Sequence, residues 1–258
     1  MWNNGAISAK SMDRIIRIPQ NAQPAMMMIQ LPAEESSIRV HVEENAMLHL
    51  LCLQKENGTH AKIVQDCTVE SGAMLHLWNI SLGGTIHDLT SRVTGPDGTS
   101  TIDWIFYGSM RERQELSARN IFDAPRGRGQ ITVHGVAEDH AQVSFDGCIE
   151  ITKNGGGTDT YLTEKTLMLD PTAKVNAVPG LEIKTNDVKA SHSASISKVS
   201  DEDLFYFASR GIALNTARRM YVEGFLGALL EKIPDEKIRQ SILFEIAKKY
   251  KNDKNALS

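Results

Sequence analysis

A single change of structural period near residue 199 constrains this 258-residue chain more than any other feature. Between residues 37 and 198, apolar and polar residues alternate in short segments, and turns rich in Gly, Asn and Asp separate those segments. Ile38, Val40 and Val42, for example, share one face of a strand. Beyond this point the apolar residues recur at helical spacing. The sequence therefore predicts a mainly β protein with a helical C-terminal part.

Short strands in this number fit a sandwich, a barrel or a parallel β-helix. A four-residue phrase, with Gly in the second place and Ala or Thr in the third, recurs before successive strands at 71–74, 83–86 and 97–100. The spacing of the coils is irregular and lies near the lower end of solenoid periods, roughly 20 residues. Two-residue hairpin turns between matched alternating segments are few. These features favour a parallel β-helix, although the periodicity is also compatible with a sandwich.

The pattern divides the chain into three parts. Residues 1–36 contain three prolines among apolar pieces and are predicted to form an irregular N-terminal arm. Residues 37–198 are predicted to form the β-helix core. Residues 199–258 are predicted to form a subdomain of three helices. The first of these helices begins after Ser200, a good N-terminal cap, and ends at Gly211.

Charge and composition exclude several classes of protein. The net charge is −4 with both signs interspersed, which favours neither nucleic acid nor an anionic membrane as a partner. The sequence shows no N-terminal signal pattern and no apolar run of about 20 residues, so we expect a cytoplasmic protein without a membrane span. Cys52, Cys67 and Cys148 are too scattered for a disulfide framework or a CxxC metal site.

The sequence contains no recognisable catalytic apparatus. The phosphate-loop pattern GxxxxGK[ST], the GxSxG elbow and the HExxH motif are absent, so we do not expect an enzyme. Cys67 and Cys148 are able to bind a soft metal as thiolates, and His192 is able to bind iron through its imidazole. The alternatives are two structural cysteines and an ordinary exposed histidine. His192 is expected to face away from Ala190 and Ala194, at a surface or an interface.

Six segments carry a resemblance to a known family. They are FDG at 145–147, GTDTY at 157–161, LML at 167–169, PGLEI at 179–183, NDVKASH at 186–192 and LFYFASRGI at 204–212. In their residues and in their order along the chain, these segments resemble the SufB/SufD proteins, the scaffold components of an iron–sulfur cluster assembly machine. The resemblance implies a right-handed parallel β-helix followed by a helical subdomain. This is the architecture that the residue pattern favours.

The resemblance also implies partners. In that family the β-helix proteins pair side by side, and each helical subdomain docks an ABC-type ATPase, SufC. ATP binding brings the two ATPases together and exposes a site for a nascent cluster. The chain is therefore expected to be a non-catalytic scaffold that binds a SufC-like ATPase through its helical subdomain. The expected partner interface consists of Leu204, Phe205, Phe207, Arg210, Gly211 and Ile212.

Several residues depart from the family's pattern. The resemblance implies His192, together with Cys67, as ligands of a transient iron–sulfur cluster or of iron. SufB-type members carry acidic residues beside this histidine, where the chain has Ser191 and Ser193, and SufD-type members often carry a cysteine where it has Ala190. The chain also looks like a short, minimal member of the family, and is then expected to form a homodimer.

Two other functions remain open at this stage. The chain could be a structural or interaction protein without cluster chemistry. It could also be a carbohydrate-active enzyme built on a β-helix, which requires two carboxylates facing each other across a cleft. Asp139, Asp146, Glu150 and Asp159 are candidates, but their spacing establishes no acid–base pair.

Overall fold

The computed structural model describes residues 3–5, 11–32, 34–55 and 61–256, and these residues form fifteen strands and three helices. The strands are β1 (Asn3–Gly5), β2 (Ser11–Ile18), β3 (Ala25–Gln30), β4 (Glu35–Val42), β5 (Met47–Gln54), β6 (Ala61–Val69), β7 (Met74–Ser81), β8 (Thr85–Val93), β9 (Thr99–Gly108), β10 (Arg113–Phe122), β11 (Arg128–Ala137), β12 (Gln142–Ile151), β13 (Thr158–Met168), β14 (Lys174–Ile183) and β15 (Val188–Lys198). The helices are α1 (Asp201–Ser209), α2 (Leu214–Leu230) and α3 (Glu236–Ala256).

The strands form two parallel sheets that face each other. The odd-numbered strands make an eight-stranded sheet in the order β1 to β15, and the even-numbered strands make a seven-stranded sheet from β2 to β14. Each strand pairs with the next strand but one, so the chain winds from one sheet to the other and back. This parallel β-solenoid with three C-terminal helices confirms the predicted fold class. It also rules out the sandwich, whose sheets are antiparallel.

The coils are longer than the sequence phrase indicated. The register pairs Ser11 with Glu35, 24 residues later, and Ser144 with Asn176, 32 residues later. Each coil holds two strands, which are eight to eleven residues long from β4 onward, and two connecting turns. The expected spacing near 20 residues was therefore too short. The phrase precedes β7, β8 and β9 in turn, so it marks both turns of a coil and does not by itself give the coil length.

The first 36 residues do not form the irregular arm that their prolines suggested. β2 and β3 lie in this segment and pair in parallel with β4 and β5. Pro19 and Pro24 lie in the connection between β2 and β3, where a missing N–H removes no ladder hydrogen bond. The solenoid therefore begins before residue 37. Residues 1, 2, 6–10 and 33 of the predicted arm lie outside the described residues.

Inside the solenoid, side chains at the same place in successive coils stack into ladders. One ladder runs through Leu50, Leu77, Ile102, Ile131 and Leu162, which are register partners on neighbouring strands. All five are almost completely buried. Each such side chain contributes roughly 1.5–3 kcal/mol by leaving water, so the ladders supply much of the stabilisation.

One turn of each coil forms a second ladder, made of backbone hydrogen bonds. Asn45, Gly72, Asp97, Arg126 and Gly157 each have a positive φ. Each backbone N–H donates to a carbonyl oxygen in the corresponding turn of the next coil, at 2.6–3.1 Å. Asn, Asp and Gly tolerate this left-handed conformation best, which explains their enrichment in the turns of the sequence.

The helical subdomain packs on the outer face of the eight-stranded sheet. A second apolar cluster joins α2 and α3 to the sheet and includes Trp78, Tyr107, Leu226 and Ile242. The expected start of α1 is confirmed, because Ser200 and Asp203 form a reciprocal capping box. Among the described residues, no helix combines the length and the apolar character needed to span a membrane.

The close stacking of coils predicts a large effect of Gly129→Ala. Gly129 has a φ of +144°, and a Cβ there would lie 1.8 Å from the carbonyl oxygen of Ser100 in the previous coil. We expect the substitution to lower the free energy of unfolding by about 2 kcal/mol or more, measured by urea denaturation. Gly156→Ala is the control, because a Cβ at Gly156 meets nothing within 4 Å. Equal stability of the two variants would contradict the stacking described here.

Candidate functional site

The solenoid has an open end at its last coil. In the part of the chain that the structure describes, β14 pairs only with β12 and β15 only with β13. Their outer edges therefore present unpaired backbone N–H and C=O groups. Side chains on both strands are mostly half-buried or exposed, including the apolar Val178, Ile183 and Ile196. An open edge with exposed apolar side chains is a ready surface for another chain.

His192 lies in the row of side chains that points toward the solenoid interior. Its register partner on β13 is Leu162, which is buried in the interior cluster, and Ala190 on the same strand also packs against that cluster. Because side chains alternate along a strand, His192 shares this face with Ala190 and Ala194. The expectation that it faces away from them was wrong. The imidazole is exposed because no further coil covers it.

Cys67 lies far from His192 along the solenoid. It points into the interior from β6, where it is 3% exposed, while β8, β10 and β12 separate β6 from the last strand of that sheet. Burial raises the pKa of the Cys67 thiol well above its ordinary value, and nearby Cys52 and Asp66 add to the effect. The structure therefore does not bring the two predicted metal ligands together. Each remains a separate prediction.

A buried polar cluster beside Cys52 was not anticipated from the sequence. The amide Nε2 of Gln65 donates to the Cys52 sulfur at 3.7 Å. The Oε1 atom of the same amide accepts from Asn79 Nδ2 and from His87 Nε2, both at 3.2 Å. Burial lowers the pKa of His87 to about 3, so the ring is neutral. Polar residues at inward positions of buried strands were the available signal.

Cys148 lies on the outer face of the seven-stranded sheet. Its Sγ atom is 3.8 Å from Glu182 Oε1, and the place of a Cβ on Gly180 is also 3.8 Å away. Arg119 lies between Glu150 and Glu182, within 3.6 Å of each. Burial raises the pKa of the thiol, which disfavours the thiolate form needed for metal binding.

One other acidic group has the spacing of a metal site. Carboxylate oxygens of Glu138, Asp139 and Asp170 lie within 4.8 Å of one another. Asp170 pairs with Arg218 at 3.5 Å, and the Tyr107 hydroxyl donates to Glu138. The backbone N–H of Met110 donates to Asp139 at 3.1 Å, so each of the three carboxylates already has a partner within the protein.

Helix α1 is held against the rest of the protein on one side only. The ring of Phe207 packs on that of Tyr221 of α2, with centroids 5.6 Å apart, and Leu204 and Ile212 are half-buried. Gly211 closes the helix with a φ of +75°. The side chain of Phe207 therefore fixes α1 to α2 rather than being free for a partner.

The opposite side of α1 carries exposed aromatic side chains. Phe205 is 74% exposed and Tyr206 is 56% exposed, and the guanidinium of Arg210 lies over the Tyr206 ring at 5.0 Å. Leu214 and Met220 of α2 are exposed as well. Of the six predicted interface residues, Phe205, Arg210 and Gly211 are exposed. Large exposed aromatic side chains of this kind are typical anchors at protein interfaces.

Ion pairs hold α3 and the connection between α2 and α3 against the solenoid. The buried carboxylate of Asp103 accepts from His76 Nε2 at 2.7 Å and from Lys232 Nζ at 2.8 Å. Lys249 of α3 donates to both oxygens of Glu112 at 2.8 Å. Asp103, Lys249 and Glu112 are largely removed from solvent, so breaking either pair costs more than breaking a fully exposed pair.

Comparison with known proteins identifies the family. The profile of the SUF system FeS cluster assembly SufBD core domain matches residues 17–225. The chain belongs to the SufBD family. The match runs from the end of β2 into α2, so it contains the open end of the solenoid, His192 and α1. The resemblance found in residues 145–212 is thereby confirmed.

Curated relatives of this SufBD family member include plant and bacterial proteins. Protein ABCI7, chloroplastic, of Arabidopsis thaliana is 34% identical over 206 residues, which are 78% of this chain and 43% of the relative. The iron–sulfur cluster assembly protein SufD of Escherichia coli K12 is 27% identical over 216 residues, or 81% and 50%. SufD of Bacillus subtilis is 28% identical over 177 residues, or 67% and 40%. The chain thus spans half or less of the length of these relatives.

The buried neutral His87 predicts a loss of stability in acid. The unfolded chain binds a proton near pH 6.5, whereas the folded chain does so only near pH 3. Stability is therefore retained above pH 6.5 and falls as the pH drops toward 3, by about 2 kcal/mol between pH 6.5 and 5. Urea unfolding at the two pH values measures this loss. His87→Gln should remove this contribution and leave only those of His49 and His134, whose pKa values burial also lowers, whereas His140→Gln, at an exposed histidine, should keep it. A loss unchanged in His87→Gln would contradict the assignment.

Proposed function

We propose that this SufBD family member is a non-catalytic scaffold for iron–sulfur cluster assembly that pairs through its open end and docks a SufC-like ATPase on α1. Membership in a family of SUF cluster assembly proteins supports the general role. One observation supports the roles in pairing and in ATPase docking. The open last coil, with the exposed His192, leads directly into α1, whose side chains Phe205 and Tyr206 are exposed.

The pairing surface follows from the edges of the two sheets. A second copy placed against β14 and β15 would extend both sheets and satisfy the unpaired backbone groups. A twofold arrangement uses the same patch on both copies, so each copy contributes one His192 to the same seam. Iron or a nascent cluster bound there is cargo of the scaffold. This arrangement makes the chain a homodimer in the absence of another SufBD partner.

The alternatives are weaker. A groove of about 580 Å³ on the outer face of the seven-stranded sheet contains Asp88, Glu115 and Asp146, and it is the best support for a carbohydrate-active enzyme. Relatives named for cluster assembly favour the scaffold over that enzyme. A purely structural role would leave the open end and the exposed face of α1 unexplained. The cytoplasmic location remains a prediction.

The docking surface predicts that Phe205→Ser disrupts the ATPase complex. Coexpression of the full chain with a SufC-type ATPase from the same organism should yield a stable complex. Loss of an aromatic anchor costs about 2 kcal/mol, which weakens binding roughly 30-fold in a titration of the purified proteins. Truncation after Ser200 should abolish the complex. Ile15→Ser, at a 69% exposed residue on the far end of the solenoid, is the control. Unaltered affinity of Phe205→Ser would refute docking on this face of α1.

The pairing surface predicts that Ile196→Lys produces monomers. Ile196 is 47% exposed on β15, and a lysine there would place a charge in the seam of both copies. Sedimentation velocity should give the wild type twice the chain mass of 28.5 kDa and the variant a single chain mass. Ile15→Lys adds the same charge at the opposite end and should remain dimeric. A monomeric wild type, or a dimeric Ile196→Lys, would count against pairing through the open end.

A further inference from the structure

A buried carboxylate lies directly behind the open end of the solenoid. Glu164 points inward from β13 and is 1% exposed. Its Oε1 atom accepts from the Thr166 hydroxyl at 2.7 Å, but its Oε2 atom has no hydrogen-bond partner although it is fully buried. Burial raises the pKa of Glu164, against the effect of Thr166. A buried carboxylate without a cationic partner is costly, so the position calls for an explanation.

The neighbours of Glu164 show that the fold itself does not require an acid. Its ladder on the eight-stranded sheet runs through Trp104 and Val133 to Glu164 and then to Ala194. The inward residues of β11 are Gly or aliphatic, whereas those of β13 include Thr158, Thr160, Glu164 and Thr166. The hydroxyl of Thr160 is also buried without a partner. Polar interior groups therefore appear on the strand that underlies the last coil.

Glu164 and His192 are close enough to share a ligand. Their register partners are Ala194 and Leu162, so they are diagonal neighbours on adjacent strands and share the inward face. Adjacent strands lie about 4.8 Å apart and two residues advance about 6.6 Å, so such neighbours are about 8 Å apart at Cα, within reach of two long side chains. Only the methyl group of Ala194 stacks over Glu164 in the last coil. The carboxylate is thus thinly covered and next to the exposed imidazole.

We propose that Glu164 is a metal ligand that acts with His192 to bind iron(II) at the open end of the solenoid. This inference rests on the proposed function and names the ion that would bind at the seam between the two copies. The donors are a carboxylate and an imidazole, a set that suits an iron(II) ion. No thiolate is near, because Cys52 and Cys67 lie in the interior of early coils and Cys148 points outward. In the twofold pair, two Glu164 and two His192 side chains supply four ligands.

Iron binding by the full chain tests the inference. The probe is ferrous ion under anaerobic conditions, with affinity measured by equilibrium dialysis. Glu164→Gln keeps the size of the side chain and removes its charge, and we expect it to weaken binding on the order of 10- to 100-fold, as we expect for His192→Ala. The control is Glu115→Gln, which removes a carboxylate from the outer face of β10, a strand that lies away from the seam, and should leave binding unchanged. Wild-type affinity in Glu164→Gln, or equal losses in Glu164→Gln and Glu115→Gln, would overturn the inference.

Thermal unfolding and cobalt spectra give independent readouts. Without metal, Glu164→Gln should unfold at the wild-type temperature or above it, because a buried charge is removed. Ferrous ion should raise the unfolding temperature of the wild type but not of Glu164→Gln. Cobalt(II) bound to the wild type should show no thiolate charge-transfer absorption, and such a band would overturn the ligand set. If iron binding fails while the ATPase complex and the dimer persist, only this inference is lost. If iron binding holds while both assemblies fail, the proposed function is lost instead.

Discussion

Parallel pairing between coils is the interaction on which the rest of this structure depends. Every strand from β4 to β13 has hydrogen-bonded neighbours on both sides, which satisfies its backbone and stacks its inward side chains on those of the next coil. Within the described residues, β14 and β15 each have a hydrogen-bonded neighbour on one side and none on the other. The same parallel pairing therefore builds the core and leaves one edge of each of these strands open. In the pairing proposed above, this open end is the surface that a second copy covers.

Much of the fold was predictable because it follows from local properties of the chain. Alternation with a period of two, turns that tolerate positive φ, and the Ser200 cap each depend on a few adjacent residues. The first coil was missed for a related reason. Pro19 and Pro24 predict interrupted strands, but only the structure shows that both lie in the connection between β2 and β3. Proline disfavours a strand interior and says nothing about the strands on either side.

The site was less predictable because it depends on register. The face on which His192 lies is set by pairing with Leu162, thirty residues earlier. Likewise, Glu164 reads as an ordinary polar position in an alternating strand until its burial is known. The same holds for Gln65 and His87, whose hydrogen bond joins two neighbouring strands. The family resemblance did identify the junction, because the segments there match in order. It gives no information on how deeply any side chain is buried.

The connection between β15 and α1 has a mechanical consequence. Only Val199 and Ser200 separate the last residue of the edge strand from the first residue of the helix. Two residues span about 7 Å at full extension, and the capping box of Ser200 fixes the angle at which the chain enters α1. Such a short and rigid joint transmits torque instead of absorbing it. Any rotation of a body seated on α1 would therefore load two elements, namely α2, against which Phe207 packs, and β15, which is held by hydrogen bonds along one edge alone.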